Sequence, residues 1–517
     1  MRHSFRFHDK SLFTVVETQE KPVAVLHHAI PTTTAQIDRF PPEMLVAIFV
    51  HLSKPDLWGL KPSSFILDLV SVTHVCKFWR QVAIDTPDLW SEIHMTNLEA
   101  VDTFLERSRT TPLNVDLNSA YEDVLRSVGS HTHRLRHLSL SASRSRGYDP
   151  FATLTNPAPL LERLVISCLA DLQPRVLFDD QVPRLRELKI FASSLWLKTR
   201  FANLTSLHLT LYDSTRTHSQ FLPFLDMLRR CPTLEEMYIW WNLYDIVPPT
   251  TAQTPTVPLP RLRKLLLRSF CFQNAKYLLH SFDLMADGIA IHLSDMNLGA
   301  EDNNFISRIQ TVFPNNDPRQ PSLVSSTKLE LSFHIKPPEI IIHAIGPHFS
   351  IRIDTSWNDY DYPNEMNFTP HDVFSSVKEL WVRGSICLDP KFNNFQHFPA
   401  LERLVLVGRG SARNIRQALS PSGSGILPSP LLSVIEYFGV DELEIGEVFL
   451  LVRNRYNAVH QLKKLRISSI FIPLPVGTCG RVQDVESLNI PSAYSMDLPE
   501  YCFSKGHKWW QSWKLGL

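Results

Sequence analysis

The first regular pattern of hydrophobic positions begins after residue 36. Apolar side chains then recur at the three- and four-residue intervals of one helical face, at Leu45, Ile48, Phe49 and Leu52. Two prolines precede this series and Glu43 follows them, which is typical of a helix N-terminus. The pattern predicts an amphipathic helix with one apolar face.

A second helical pattern runs from Leu69 to Ala83 and is apolar over a wide arc. Its side chains form two neighbouring stripes, made of Leu69, Val72, Cys76, Trp79 and Ala83 and of Val75, Phe78 and Val82. Such an arc indicates a helix that is buried on most sides, or one that contacts a partner on its second side. The segment from Thr86 to Trp90 predicts a third short helix, because it offers an N-cap residue, an early proline and an early carboxylate. A bundle this small would gain stability from a partner.

A different pattern recurs from residue 96 onward, the phrase L-x-x-L-x-L or a close relative. It begins at residues 135, 161, 185, 204, 234, 262, 377, 401, 462 and 485, with weaker copies at 289–293, 328–333 and 432–437. Alternation puts the last two apolar residues of each phrase on one face of a short strand, and one unit cannot bury that face alone. Stacked units would form a parallel sheet with a continuous core and with helices or irregular segments on the convex side.

The first module resembles an F-box, in particular the fungal, basidiomycete-like form. The resemblance is carried, in order, by FPPEML from Phe40, by Ile48, Phe49 and Leu52, by VCKFWR from Val75 and by TPDLW from Thr86. The link from Lys54 to Leu69 departs from the family pattern, because it is longer than usual and contains two prolines and a glycine.

The resemblance implies a function. In that family the F-box binds the Skp adaptor of a Skp/cullin/F-box ubiquitin ligase, and the rest of the chain selects the protein to be ubiquitinated. The chain would then be a non-catalytic specificity subunit, with a Skp-family adaptor, a cullin ligase core and an unknown target protein as partners. Candidates for the adaptor contact or its immediate support are Pro41, Pro42, Leu45, Ile48, Phe49, Val75, Trp79 and Trp90. The alternative for each of them is a purely structural role in the core of the bundle.

The remainder resembles the leucine-rich-repeat half of F-box proteins, although most copies lack the asparagine that usually follows the strand. The expected fold class is α plus α/β, a three-helix F-box bundle followed by a leucine-rich-repeat solenoid with parallel strands on its concave face. The expected domains are a flexible tail at 1–36, the F-box at 37–95, an irregular solenoid at 96–500 and a cap at 501–517.

One segment between repeats, DTSWNDYDYPNEMNF from residue 354, mixes acidic and aromatic residues. It predicts either a loop that contacts a basic or aromatic-binding target or a solvated insertion. The candidate target-binding residues in it are Trp357, Asp359, Tyr360, Asp361 and Tyr362. The positions after the aspartates do not follow the pattern of a calcium loop.

The composition of the chain limits the partners and the cellular compartment that we expect. The 517 residues include 52 basic and 52 acidic side chains, so the zero formal charge provides no global attraction to nucleic acid or to an anionic membrane. The 7 cysteines are scattered without a CxxC pair, which argues against a disulfide framework and a zinc module. No apolar run approaches the roughly 20 residues of a membrane span. We therefore expect a cytoplasmic or nuclear protein with no nucleic-acid or membrane partner.

Motifs of catalysis and cofactor binding are missing from the sequence. GxGxxG, GxxxxGK, GxSxG and HExxH do not occur, and the histidine pairs lack a second cluster at ligand spacing. This predicts no cofactor, no metal site and no catalytic residues. The alternatives to a ligase adaptor are a protein-interaction scaffold outside the ubiquitin system, a ligand-gated receptor and an independent enzyme. No sequence motif supports the last of these.

Overall fold

The computed structural model describes most of the chain. The described residues are 40–52, 62–118, 122–142, 151–168, 175–192, 198–212, 221–241, 256–284, 288–296, 305–314, 319, 321–335, 338–356, 372–383, 395–408, 412–420, 427–438, 442–468, 480–487 and 496–499. The expected tail at 1–36 and the expected cap at 501–517 lie outside them.

Three helices come first in the described chain, and strands with intervening helices follow. The helices are α1 (Pro42–Leu52), α2 (Pro62–Val75), α3 (Lys77–Ile84), α4 (Leu98–Arg107), α5 (Glu122–Gly129), α6 (Phe221–Arg229), α7 (Phe272–His280), α8 (Phe305–Val312), α9 (Ala412–Leu419) and α10 (Glu442–Asn457). The strands are β1 (Glu92–Ile93), β2 (Leu113–Asn118), β3 (Leu135–Ala142), β4 (Arg163–Cys168), β5 (Glu187–Ala192), β6 (Ser206–Leu211), β7 (Glu236–Trp241), β8 (Val257–Pro258), β9 (Lys264–Arg268), β10 (Phe282–Asp283), β11 (Ile289–Ser294), β12 (Lys328–Ile335), β13 (Pro338–Ile345), β14 (Phe349–Ser356), β15 (Glu379–Arg383), β16 (Arg403–Val407), β17 (Val434–Phe438), β18 (Leu462–Ser468) and β19 (Val482–Ser487).

The N-terminal helices differ in two respects from the sequence pattern. The region expected to form one helix from Leu69 to Ala83 forms two, because Cys76 has extended backbone with φ −154° and ψ 171°. The Cys76 sulfur accepts a hydrogen bond from the Trp79 backbone N–H at 3.4 Å and thereby caps α3. The third expected helix is a 3-10 turn, Pro87–Trp90.

The strands form one sheet of 17 strands and a separate pair, β8 with β10. The hydrogen-bonded order runs from β1 through β7 to β9, β11, β14, β13, β12 and then β15 to β19. β13 is antiparallel to both of its neighbours, and the other described pairings are parallel. A large, mostly parallel sheet with helices agrees with the expected solenoid-like α/β architecture.

One row of side chains shows how the recurring phrase builds the core. Each of the 17 strands contributes one residue in register to this row, namely Ile93, Val115, Leu138, Leu164, Leu188, Leu207, Met237, Leu265, Ile291, Ile351, Ala344, Leu329, Leu380, Leu404, Ile435, Leu465 and Val485. These residues belong to, or pack against, the main hydrophobic cluster, which also contains Leu45 and Phe49 of α1. The N-terminal helices and the sheet therefore share one core.

The middle of the sheet departs from a simple parallel repeat. After β11 the chain passes to β12, three positions further along, and returns through β13 and β14 to fill the gap. A short turn joins β13 to β14, in which the Gly346 N–H donates to the Phe349 carbonyl at 2.9 Å. This hairpin places polar residues of four strands close together in the centre of the sheet.

Candidate partner-binding surfaces

Helix α1 has two adjoining apolar sides. Leu45 and Phe49 lie one turn apart and are 0% and 1% exposed, whereas Met44 and Ile48 are 50% and 41% exposed. The first pair anchors α1 to the core, and the second pair faces solvent. Two exposed apolar side chains at i and i+4 form a continuous stripe on a helix.

Further exposed apolar side chains lie on the helices that contact α1. Val70 and Val75 of α2 and Phe78 of α3 are exposed, as is Phe40 just before α1. Six of the fourteen exposed large hydrophobic side chains in the described residues therefore lie between residues 40 and 78. We call this set the N-terminal apolar surface, and it consists of Phe40, Met44, Ile48, Val70, Val75 and Phe78. A concentration of exposed apolar side chains in one region makes this region a candidate interaction surface.

The helices under this surface are held at fixed angles by local hydrogen bonds. The Arg80 Nε of α3 donates to the Thr73 carbonyl of α2 at 2.8 Å. The ring of Trp79 packs against Phe49 with centroids 5.2 Å apart, which joins α3 to α1. The Trp90 Nε1 donates to the Ala83 carbonyl at 2.8 Å, so the following 3-10 turn is fixed to the end of α3.

The eight candidate residues from the sequence fall into two groups. Exposed positions are occupied by Pro41, Pro42, Ile48 and Val75. Core positions are occupied by Leu45, Phe49 and Trp90, and Trp79 is partly buried against them. The first group is accessible to solvent, and the second group is packed in the core. Met44, Val70 and Phe78 are not among the eight candidates, although Met44 lies one helical turn before Ile48 and Phe78 belongs to the second apolar stripe of the sequence pattern.

The second surface is the face of the sheet that points away from the main core, here called the outer face. Charged ladders cover it towards both ends of the sheet. On β4 and β5, Arg163 and Lys189 contact Glu187 at 2.6 and 2.9 Å. On β17 to β19, the Arg466 guanidinium lies 3.0 Å from Glu436 and 2.8 Å from Glu486. These parts of the outer face are partly accessible and polar.

The centre of the outer face contains a buried charged cluster. Asp354 accepts from the Arg352 Nε at 2.8 Å and lies 2.5 Å from the His292 Nε2. Burial alone would raise the pKa of Asp354, but His292 and Arg352 outweigh burial and lower it to about 2. Nearby, Arg383 donates to Glu330, whose pKa is raised by burial despite this partner. The charges of the cluster are thus paired with one another.

Two apolar clusters flank these charges on the outer face. The first contains Tyr238, Leu266 and Ala290, with Trp240 packed against it. The second contains Ile345, Trp381, Val405 and Phe438, with Val407 packed against it. The segment 496–499 lies on both, since Met496 is part of the second cluster and Leu498 packs against each of them.

Several predicted features lie outside the described residues. The candidate target-binding residues Trp357, Asp359, Tyr360, Asp361 and Tyr362 are among them, so their role stays a prediction. Within the described residues, no group of three or more His, Cys, Asp or Glu side chains could hold a metal ion. Among the described helices, none is both long enough and apolar enough to cross a membrane.

Comparison with known proteins identifies the N-terminal module. Residues 37–96 match the family model described as F-box-like. The described part of this range contains α1 to α3, the 3-10 turn and β1, and therefore the whole N-terminal apolar surface. No curated protein matches the sequence at a significant level. The leucine-rich-repeat assignment and the fungal form of the F-box stay predictions.

Proposed function

We propose that this chain is the target-recognition subunit of a Skp/cullin/F-box ubiquitin ligase. Its N-terminal apolar surface would bind a Skp-family adaptor, the adaptor would connect it to a cullin ligase core, and the sheet would bind a target protein. The observation that carries the proposal is that the F-box-like match coincides with a concentration of exposed apolar side chains. F-box domains typically bind adaptors of this family.

The N-terminal apolar surface has the composition of a binding interface. It consists of phenylalanine, methionine and branched aliphatic side chains, and aromatic residues and methionine are enriched in protein interfaces. Beneath it, Leu45, Phe49 and Trp90 are fully buried, so the exposed side chains rest on a fixed support. A surface held in place before binding loses less conformational entropy when the adaptor binds.

The shared core would hold the two functional parts at a fixed separation. Trp90 packs edge-on against Phe104 of α4 with centroids 4.9 Å apart, and the Arg107 guanidinium lies 4.3 Å from the centre of the Trp90 ring. Trp90 therefore joins the N-terminal helices to the first helix beyond the family match. A rigid connection keeps a bound target at a constant position relative to the ligase core, which raises the effective concentration of its lysines.

The chain itself would perform no chemistry in this scheme. Ubiquitin transfer would take place on other subunits, and this chain would contribute binding and orientation. The compartment that suits this role is the cytoplasm or the nucleus, where the other subunits of such ligases act.

The proposal is tested with purified full-length chain and a Skp-family adaptor by calorimetric titration. Ile48→Asp should weaken adaptor binding at least 100-fold, because it places a charge inside an apolar interface. Leu222→Asp is the matched control, since Leu222 is likewise an exposed apolar side chain on a helix, α6, but lies outside the F-box-like range. Its affinity should stay within threefold of the wild-type value.

Affinity capture from cells extends the test to the whole complex. The wild-type chain should retain the adaptor and a cullin, and Ile48→Asp should retain neither. Failure of the wild-type chain to bind the adaptor, or undiminished binding by Ile48→Asp, would show the proposal to be wrong. Adaptor binding without any change in the half-life of captured partners would instead favour a scaffold outside the ubiquitin system.

A further inference from the structure

The segment 496–499 follows the last strand in sequence but lies over the middle of the sheet. In the described sheet β19 pairs with β18 alone, whereas Leu498 packs against the apolar cluster formed by β7, β9 and β11. Met496 is 2% exposed and packs with residues of β13, β15, β16 and β17. Residues 496–499 thus cover the centre of the outer face.

The segment 496–499 contacts the outer face through every second side chain. Met496 is buried and Leu498 half-buried, while Asp497 between them is exposed. An extended peptide presents every second side chain to the surface beneath it. A separate peptide of similar sequence could therefore make the same contacts.

The surface beneath the segment differs from the rest of the outer face. Apolar residues concentrate in two clusters there, whereas the strands towards both ends carry charged ladders. Between the clusters, Asp354 is bonded to His292 and Arg352, and Glu330 to Arg383. Because these charges are paired with each other, departure of the segment would uncover apolar surface without breaking the pairs.

We propose that the centre of the outer face is the target-binding site and that the segment 496–499 is its built-in competitor. The site takes an extended target peptide with two apolar side chains separated by one outward-facing residue, as in Met-Asp-Leu-Pro. A target gains access by displacing the segment, so the free chain is partly self-inhibited. This inference rests on the proposed function, because it specifies where and how the target binds.

The test measures binding of a labelled peptide to the full-length chain by fluorescence anisotropy. The probe is fluorescein-labelled SAYSMDLPEY, which corresponds to residues 492–501. The variant Met496→Asp/Leu498→Asp disables the internal segment and should bind the probe at least tenfold more tightly than wild type. The control Asp497→Asn changes the exposed residue between them and should behave like wild type.

Two further measurements locate the site. Val405→Glu, added to the disabled variant, should abolish probe binding because Val405 belongs to the apolar cluster beneath Met496. A probe with aspartate at both apolar positions should not bind any variant. Circular dichroism and adaptor titration on the same samples report whether each variant is folded.

Each possible result of these experiments either supports the proposal or overturns it. If a folded disabled variant does not bind the probe, or binds it no more tightly than wild type, the segment is not a competitor. If Met496→Asp/Leu498→Asp does not fold, Met496→Ala/Leu498→Ala replaces it, and failure of both to fold would show that the segment is an obligatory part of the core. Adaptor binding without probe binding overturns this inference alone, whereas a wild-type chain that does not bind the adaptor overturns the proposed function.

Discussion

Ile48 and Phe49 are neighbours on α1 with opposite environments, since the side chain of Ile48 is 41% exposed and that of Phe49 is 1% exposed. This difference allows the proposed partner contact and the stability of α1 to be tested by separate substitutions. Phe49→Ala should lower the free energy of unfolding by about 3–5 kcal/mol, because it leaves a cavity and removes the ring contact with Trp79. Ile48→Asp should change it by less than about 1 kcal/mol. Urea unfolding followed by circular dichroism measures both.

Phe49→Leu serves as a control for the size of the cavity. It keeps most of the apolar volume and should cost about 1.5 kcal/mol or less. Equal losses of stability in Ile48→Asp and Phe49→Ala would contradict the assignment of Ile48 to the exposed side of α1.

Glu436 provides a second prediction, because it is a buried carboxylate between two arginines. It accepts from the Arg403 Nε at 3.1 Å and from an Arg466 guanidinium nitrogen at 3.0 Å. Glu436→Ala would leave two half-buried cations without this shared partner and should lower the free energy of unfolding by about 2 kcal/mol.

The matched control for Glu436 is an exposed ion pair between the residues just before β15 and β16. Glu402 lies 3.5 Å from Lys378, and both side chains are more than half exposed. Glu402→Ala should therefore change the free energy of unfolding by less than about 0.5 kcal/mol. Similar effects of the two substitutions in chemical denaturation would rule out a structural role for the buried carboxylate.

Strands were predictable where the apolar and polar positions alternate strictly. In β5, Leu188 and Ile190 alternate with half-buried neighbours, and the structure buries both at the expected face. β13 gives no such signal, because Ile340, Ile341 and Ile342 are apolar at successive positions and each is buried. The antiparallel direction of β13 depends on its pairing with β12 and β14. The periodicity of apolar residues within one segment contains no information about such pairing.

The candidate partner-binding surfaces were predictable only in part. The sequence placed Ile48 on one stripe with Leu45 and Phe49, but packing decides which edge of a wide apolar arc is covered, and the structure exposes Ile48. The contact of Met496 and Leu498 with the outer face had no sequence signal. Two apolar residues are too few to show a period, and their partners lie on strands far away in the chain.

The buried charged cluster predicts a dependence of stability on pH. His343 of β13 lies 2.7 Å from the Ser350 hydroxyl. Burial, reinforced by the charge of Arg352, lowers the pKa of His343 to about 3. An unfolded histidine has a pKa of about 6.5, so between pH 6.5 and 3 the unfolded chain binds a proton that the folded chain does not. Stability should therefore fall as the pH falls through this window, by up to about 1.4 kcal/mol per pH unit from this residue.

The variant His343→Gln isolates the contribution of this residue. Glutamine cannot titrate, so the free energy of unfolding of the variant should fall less steeply between pH 6.5 and 4.5 than that of the wild type. Asp354 does not interfere, because its pKa is about 2 and its contribution is lost only below about pH 4. Urea unfolding at pH 6.5, 5.5 and 4.5 gives the two slopes, and parallel slopes would show that His343 titrates normally.

The turn between β13 and β14 depends on a glycine because there is no room for a side chain. A Cβ atom at Gly346 would overlap the ring of Phe349, which is 4% exposed and packs into the core. Gly346→Ala should therefore lower the free energy of unfolding by about 1–3 kcal/mol, as overpacking does in other cores.

Two controls distinguish this clash from a general effect of replacing glycine. In a Phe349→Ala background the obstructing ring is gone, so the added cost of Gly346→Ala should fall by at least about 1 kcal/mol. Gly446 lies inside α10 with open space around its Cβ position. Gly446→Ala should raise the free energy of unfolding by about 0.5–1 kcal/mol, because alanine favours the helix. If Gly346→Ala and Gly446→Ala have equal effects on the free energy of unfolding in urea, the close approach of Phe349 to Gly346 is wrong. The tight hairpin that brings the charged cluster together would then be wrong as well.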